Sequence, residues 1–325
     1  STTLNVTMDR VDCTASTHSS ISFLKIVSSL FANGSSIVIK DSKADFSVAS
    51  DVPAPDSTWV VPFNNTMHMF LDLRPNATMR DPSTSVITSS SSSSVVADKL
   101  SIEIDVCEFL ASDSGAKATG IQFGGMRGVN LEYLLLSSPT INISNSRFAL
   151  EQSNGAPQTS IAVDEYVAGL GTKLVFFGNS TILQPTISIS NSTANITVSS
   201  GWSVPTGLVF DTVATSGDFT IAITDSSTIS VSAIDVAYNG TVSNLQFVNI
   251  SGYLSAESLP AADHAFRPHV TVMDSSALSV ELATLENTTV DARAVNIWFA
   301  STLRSSSPAA ADNSGVEQGL TERNN

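Results

Sequence analysis

The chain has 325 residues, of which 42% are hydrophobic and only 14% charged, and its formal net charge is −15. That is too apolar for a disordered chain and too acidic for binding driven by nucleic-acid phosphates or anionic lipid. No apolar run reaches the ~18 residues a spanning helix needs, so no transmembrane segment is expected.

The chain begins at Ser1, which reads as a processed protein or a piece of a longer one. Ser19 to Ala32 reads as a short helix or strand, without sustained helical periodicity. The first clear pattern is Ile37-Val38-Ile39-Lys40-Asp41-Ser42, in which apolar and polar residues alternate and an Asp-Ser pair follows. Asp51 to Pro62 is rich in proline and aspartate and reads as a loop insertion, 51–62. A second insertion, 81–94, ends in six consecutive serines, Ser89 to Ser94. The alternation returns in Ile102-Glu103-Ile104-Asp105, without the serine. It recurs in full as Ile141 to Ser146, Ile187 to Ser192 and Ile221 to Ser226, and less strictly as Val270 to Ser275.

A second pattern, an apolar stretch ending in Phe before Asn or Asp, falls between these copies. Its members are Leu174 to Asn179, Leu208 to Asp211 and Leu245 to Asn249. Glu281 to Leu285 again reads as a short helix or strand. Residues 304–325 read as a C-terminal tail or linker.

Strands of this kind place Ile, Val or Phe inward at every second position, and Asn, Asp, Ser or Gly take the corners. One turn cannot bury its apolar face alone, but stacked turns share a core. The expected fold is all-β: a right-handed parallel β-helix, or β-solenoid, forming one domain over 1–303. The turn asparagines and aspartates fall at 145, 191, 225 and 274. Each interval reads as two turns of roughly 17 to 25 residues with loops of varying length. The alternative is β-sandwich domains, which would show no internal motif.

Eleven Asn-x-Ser/Thr sequons mark a secretory-pathway, extracellular or cell-surface glycoprotein: Asn5, Asn33, Asn64, Asn76, Asn142, Asn179, Asn191, Asn195, Asn239, Asn249 and Asn287. In that oxidising setting Cys13 and Cys107 are expected to form a disulfide. Neither lies in a metal-ligand or redox pattern, and no cofactor or metal is expected.

Chemistry-bearing groups are sparse. Gly124-Gly125-Met126-Arg127-Gly128 lacks the Lys-Ser/Thr of a phosphate-binding loop and reads as a tight turn. His18, His68, His264 and His269 read as exposed loop residues. Trp59, Trp202 and Trp298 are too scattered to form a sugar-binding strip. The best carboxylate group is Glu103, Asp105 and Glu108, since residues two apart on a strand share a face. Arg127 could approach it one turn later. The Asp164-Glu165 pair makes no better case. These acids read as surface groups rather than as a catalytic set.

The segments Ile141 to Phe148, Ile187 to Val198, Ile221 to Val236 and Val270 to Val280 resemble the dispersed gene family surface proteins of trypanosomatid parasites. The resemblance implies a large glycosylated parallel β-helix with an adhesive role and no catalytic residues. The expected function is therefore a non-catalytic structural or adhesive surface protein. Its partners would be other surface proteins, copies of itself, or host and matrix glycans. The alternatives are a component of an extracellular filament of stacked coils and a polysaccharide-active, pectin-lyase-like β-helix enzyme.

Overall fold

The alternating segments become β-strands because Ile, Val and Thr fit a pleated, half-buried surface. In a computed structural model the described residues are 3–17, 20–27, 34–47, 66–74, 95–113, 123–132, 134–153, 172–178, 180–199, 206–234, 240–255, 266–283 and 288–304. Among them there is no helix, and every strand pairing is parallel. The sandwich alternative, built on antiparallel hairpins, is not what forms. The insertions 51–62 and 81–94 and the tail beyond Arg304 lie outside the described residues.

The strands stack in three columns that the chain visits in a fixed order. The first column contains β1 (Asn5–Asp9), β4 (Ser36–Lys40), β8 (Ser101–Asp105), β12 (Thr140–Ser144) and β16 (Thr186–Ser190). It continues through the end of β18 (Thr206–Thr224) to β21 (Phe266–Val272). The second column runs β2 (Asp12–Ser16), β5 (Lys43–Ser47), β9 (Glu108–Asp113), β13 (Arg147–Ser153), β17 (Thr193–Ser199), β19 (Thr228–Ile234), β22 (Ala277–Ala283). The third begins with β3 (Ile21–Val27), β6 (Thr66–Arg74), β10 (Phe123–Glu132) and β14 (Lys173–Gly178). It continues through the start of β18 to β20 (Gly240–Ser255) and β23 (Thr288–Arg304). Short strands β7 (Val95–Asp98), β11 (Leu134–Ser137) and β15 (Thr181–Leu183) stack beyond the third column. Each passage through the three columns makes one tier, and the described residues form seven tiers.

The Ile motifs align without a slip. Ile37 pairs with Ile102, Ile102 with Ile141, Ile141 with Ile187, Ile187 with Ile221, and Ile221 with Val270. Each interval between motifs is therefore a single tier, not the two turns expected. Segments between the paired strands, 48–65, 75–94, 154–171 and 256–265 among them, account for the differences in length. The Phe motif aligns over two copies only, with Phe177 opposite Phe210. In β20 the residue opposite Phe210 is Ile250, so Leu245 to Phe247 is out of step with the pattern. Ser19 to Ala32 and Glu281 to Leu285 contribute to strands β3 and β22.

The corner between the first two columns explains the Asn/Asp-Ser signature. Arg10, Asp41, Val106, Asn145 and Asn191 all sit there with φ between 44° and 56°. Asn and Asp adopt this left-handed region more readily than other non-glycine residues. The next residue stacks in a ladder. Ser42, Ser146, Ser192 and Ser227 each donate their hydroxyl to a carbonyl just upstream, at 2.6–2.8 Å. The hydroxyls of Ser42, Ser146, Ser192, Ser227 and Ser276 each accept a main-chain N–H from the preceding tier, at 3.0–3.2 Å. Main-chain groups turned inward at the corner thus find partners.

Cys107 holds one position of this ladder, and the expected disulfide is not formed: Cys13 and Cys107 are free thiols. Cys13 is in register with Ala44, and Ala44 with Phe109. The two cysteines are therefore two tiers apart. At ~4.8 Å per tier, that exceeds the ~7 Å Cα limit for a disulfide.

The core is one continuous cluster drawn from all three columns. Phe70 of the third column packs on Phe109 and Phe148 of the second, with centroids 5.5 and 6.0 Å apart. The outward faces of the first two columns remain open to solvent, which preserves their period-two burial. The third column differs: all six residues of β14 are buried.

Candidate functional site

The carboxylates Glu103, Asp105 and Glu108 come from β8 and the start of β9, on outward positions flanking the corner. Each is paired with residues of adjoining tiers. Glu103 meets Lys40 Nζ at 2.8 Å. Glu108 meets Lys43 Nζ at 2.9 Å and Arg147 at 3.0 Å, and these contacts, Lys43 first, hold its carboxyl below the usual range. Asp105 Oδ1 accepts from Ser144 Oγ at 2.7 Å and from Asn145 Nδ2 at 2.8 Å, which lowers its pKa in the same way. Asn145 Oδ1 in turn accepts from Asn191 Nδ2 at 2.7 Å. These acids are rungs in a cross-tier ladder of ion pairs and amides. Exposed pairs of this kind contribute little to stability.

Arg127 does not join them. It lies on β10 in the third column, 1% exposed, and pairs with Asn130 and, at 3.0 Å, with Glu132. Its guanidinium carbon stands 3.9 Å from the centroid of Phe176. The expected approach of Arg127 to Glu103 and Asp105 fails because sequence spacing does not say which column a residue occupies.

Arg127 instead belongs to a polar cluster on the outward side of the third column. Asn130 is in register with Asp72, and Arg127 with Met69 and Lys173. Asp72 and Asn130 are fully buried, and Lys173 is 2% exposed. Asp72 Oδ1 accepts from Arg74 Nε at 2.5 Å and from Asn130 Nδ2 at 2.8 Å. Arg74 also stands 3.5 Å from Glu132 Oε2, so it clamps both carboxylates. Asp72 Oδ2 has no partner among the described residues. Burial pulls the Arg127 guanidinium below its ordinary pKa, and the Glu132 charge opposes this.

The arrangement follows from a repeated offset in the strands. Met69, Asp72 and Arg74 in β6 match Arg127, Asn130 and Glu132 in β10, and Lys173, Phe176 and Gly178 in β14. Between the first and second of these positions two consecutive residues face the core. Gly128 is one of them, and a Cβ there would lie 2.6 Å from the Leu174 carbonyl oxygen. Buried ionic groups of this kind are expensive to desolvate and need close partners. They orient one another, with Arg74 in contact with both carboxylates.

Other candidates are now located. Asn5, Asn142, Asn191 and Asn195 are exposed. Asn5, Asn142 and Asn195 stand on outward strand positions, whereas Asn191 stands in the corner ladder. The backbone of Asn249 lies in β20. Asn33, Asn64, Asn76, Asn179, Asn239 and Asn287 lie outside the described residues, as do His18, His264, Trp59, Trp202, Asp164 and Glu165. His269 is exposed but stands on strand β21 rather than in a loop, and His68 is fully buried, in register with Ile21 and Met126, with Phe46 at its edge. Burial lowers its pKa to about 4, against a raising contact from the Thr17 main chain. Gly124 to Gly128 is part of strand β10 rather than a turn. Among the described residues no group of three His, Cys, Asp or Glu side chains could hold a metal ion.

Comparison with known proteins finds no matching family model, no matching curated protein and no matching solved structure.

Proposed function

We propose that the three columns close into a right-handed parallel β-solenoid that serves as a non-catalytic structural or adhesive scaffold in an extracellular or cell-surface glycoprotein. One observation carries the reading. The outward faces of the first two columns carry more Ser, Thr and Asn than charged residues while every second residue is core, and Asn5, Asn142 and Asn195 are displayed on those faces. A surface of hydroxyls and amides stays soluble with little charge and can carry glycans without disturbing the core. The likeness to the dispersed gene family surface proteins of trypanosomatids supports the same reading. It makes other surface proteins and host or matrix glycans the partners to test.

The experiment is expression through a eukaryotic secretory pathway, with enzymatic deglycosylation in heavy-oxygen water and mass mapping of the sequons. Label is expected at Asn5, Asn142 and Asn195. A secreted, folded chain with no sugar at any sequon would sink the extracellular glycoprotein reading. Electron microscopy of the same material tests the solenoid, which should give a rod of constant width.

Arg74 and Glu132, the partly exposed members of the cluster around Asp72, Arg127 and Asn130, favour a second reading, a polysaccharide-active surface on the third column. It is tested by turnover of acidic polysaccharides with and without calcium. Cleavage by the wild type that Arg127→Met abolishes would support it, and no cleavage by the wild type would exclude it for those substrates.

A further inference from the structure

The exposed large apolar side chains among the described residues are Val27, Val106, Val272 and Met273, and three of the four stand at the two ends of the stack. Val27 belongs to the first tier, and Val272 and Met273 to the seventh. Val272 is in register with the fully buried Ile223, yet it is 41% exposed, for its strand pairs on one side only among the described residues. In the first tier Val6, Met8, Cys13 and Ala15 are half-buried, whereas their register partners Ile37, Ile39, Ala44 and Phe46 are fully buried. Both ends therefore present edge strands with core positions uncovered, the arrangement most prone to pair with another chain.

We infer that the first tier of one copy docks on the seventh tier of another, so that the stack continues head to tail. Three features favour a second copy as the occupant. The unbroken register puts Val6 level with Val270, Met8 with Val272, and Cys13 with Leu278, so the docked faces meet apolar on apolar. The strand direction is the same at both ends, so docking adds a parallel strand to each column as the tiers already do. At the corner exposed Arg10, paired with Asp9 within the first tier, stands level with exposed Asp274 of the last. An interface between unlike ends does not close on itself and grows into a filament.

The inference rests on the solenoid reading and is independent of the extracellular one. Its test is sedimentation and negative-stain microscopy of the purified chain across a concentration series, with Met8→Lys at one end and Val272→Lys at the other. Wild type should lengthen into rods as concentration rises. Each variant alone should stay monomeric, and the equimolar mixture should stop at a dimer, because one intact head meets one intact tail. Wild type that stays monomeric throughout would overturn the inference, as would a variant that dimerises by itself. Val272 is already exposed, so Val272→Lys keeps its strand signal in circular dichroism even if Met8→Lys does not fold. Monomers that still show a rod would leave the solenoid reading standing, whereas loss of the rod would remove both.

Discussion

Ser146 Oγ accepts the main-chain N–H of Cys107 at 3.0 Å, one step in a hydroxyl ladder whose next step down is held by a sulfur. The Cys107 thiol lies 3.3 Å from the Asp105 carbonyl and 3.4 Å from that of Ile39, weak contacts for a poor donor and acceptor. Burial raises its pKa, which disfavours the reactive thiolate. Cys107→Ser should restore the ladder and stabilise the fold by about 1 kcal/mol, read as a higher urea midpoint. A disulfide to Cys13 would give the opposite result, since its loss destabilises by roughly 2–5 kcal/mol. A lower midpoint would therefore contradict the free-thiol geometry.

Val106 occupies the same corner column as Asp41 and Asn145, with φ at 53° and half its surface exposed. A β-branched residue is strained in this left-handed region, whereas Asn reaches it at lower cost. Val106→Asn should stabilise the protein by about 1 kcal/mol and leave the cross-tier pairings intact. The checks are thermal unfolding and amide exchange at the corner. An unchanged or lower melting temperature would mean that the corner is not strained.

His68 gives the fold an acid sensitivity that surface carboxylates do not explain. Its folded pKa is about 4 against an ordinary value of 6.5. Above pH 6.5 the imidazole is neutral in both states and nothing is lost. Between 6.5 and about 4 the unfolded chain takes up the proton and the folded chain does not, so stability falls with pH across that window. The shift corresponds to a loss of about 3 kcal/mol. Urea midpoints should decline over this range in wild type and stay nearly flat in His68→Leu. Asp105 and Glu108, whose pKa values are lowered, contribute stability that is lost only at more acid pH, as it falls through their folded values.

The first two columns are legible in the sequence because each is buried on one face. Ile141 and Ile143 point inward while Asn142 and Ser144 face solvent, and that contrast is the period-two signal. The corner was legible for the same kind of reason, since Asn145-Ser146 and Asn191-Ser192 state the backbone conformation they adopt. The third column was not legible. In β6, β10 and β14 both faces are buried, two consecutive residues such as Gly128 and Val129 face inward, and period two breaks. Hence His68 read as a loop residue although it is core, and Arg127 was assigned to the wrong acids. A usable signal was present in the spacing: Asp72 and Arg74 are offset like Asn130 and Glu132, each pair following a short apolar doublet. The single tier per motif was hidden because the segments between the paired strands differ in length.

The outward cluster of the third column is tested by taking it apart in two stages. Asp72 is buried with Arg74 and Asn130 on one oxygen, so Asp72→Leu leaves a guanidinium and an amide without their acceptor. Removing one partner of a buried ion pair costs about 3–5 kcal/mol, far more than the pair contributes. Asp72→Leu should therefore lower the unfolding free energy by about that much. Adding Asn130→Leu removes the orphaned amide and lets two apolar side chains meet in register, and Arg127, which loses Asn130 as an acceptor, keeps Glu132, so the double variant should recover part of the loss. Arg74 keeps Glu132 as its remaining carboxylate, which makes the recovery possible. Denaturant unfolding of the two single variants and the double measures the coupling. Additive losses would show that Asp72 and Asn130 act independently, and the cluster would then be a set of separate contacts rather than one network.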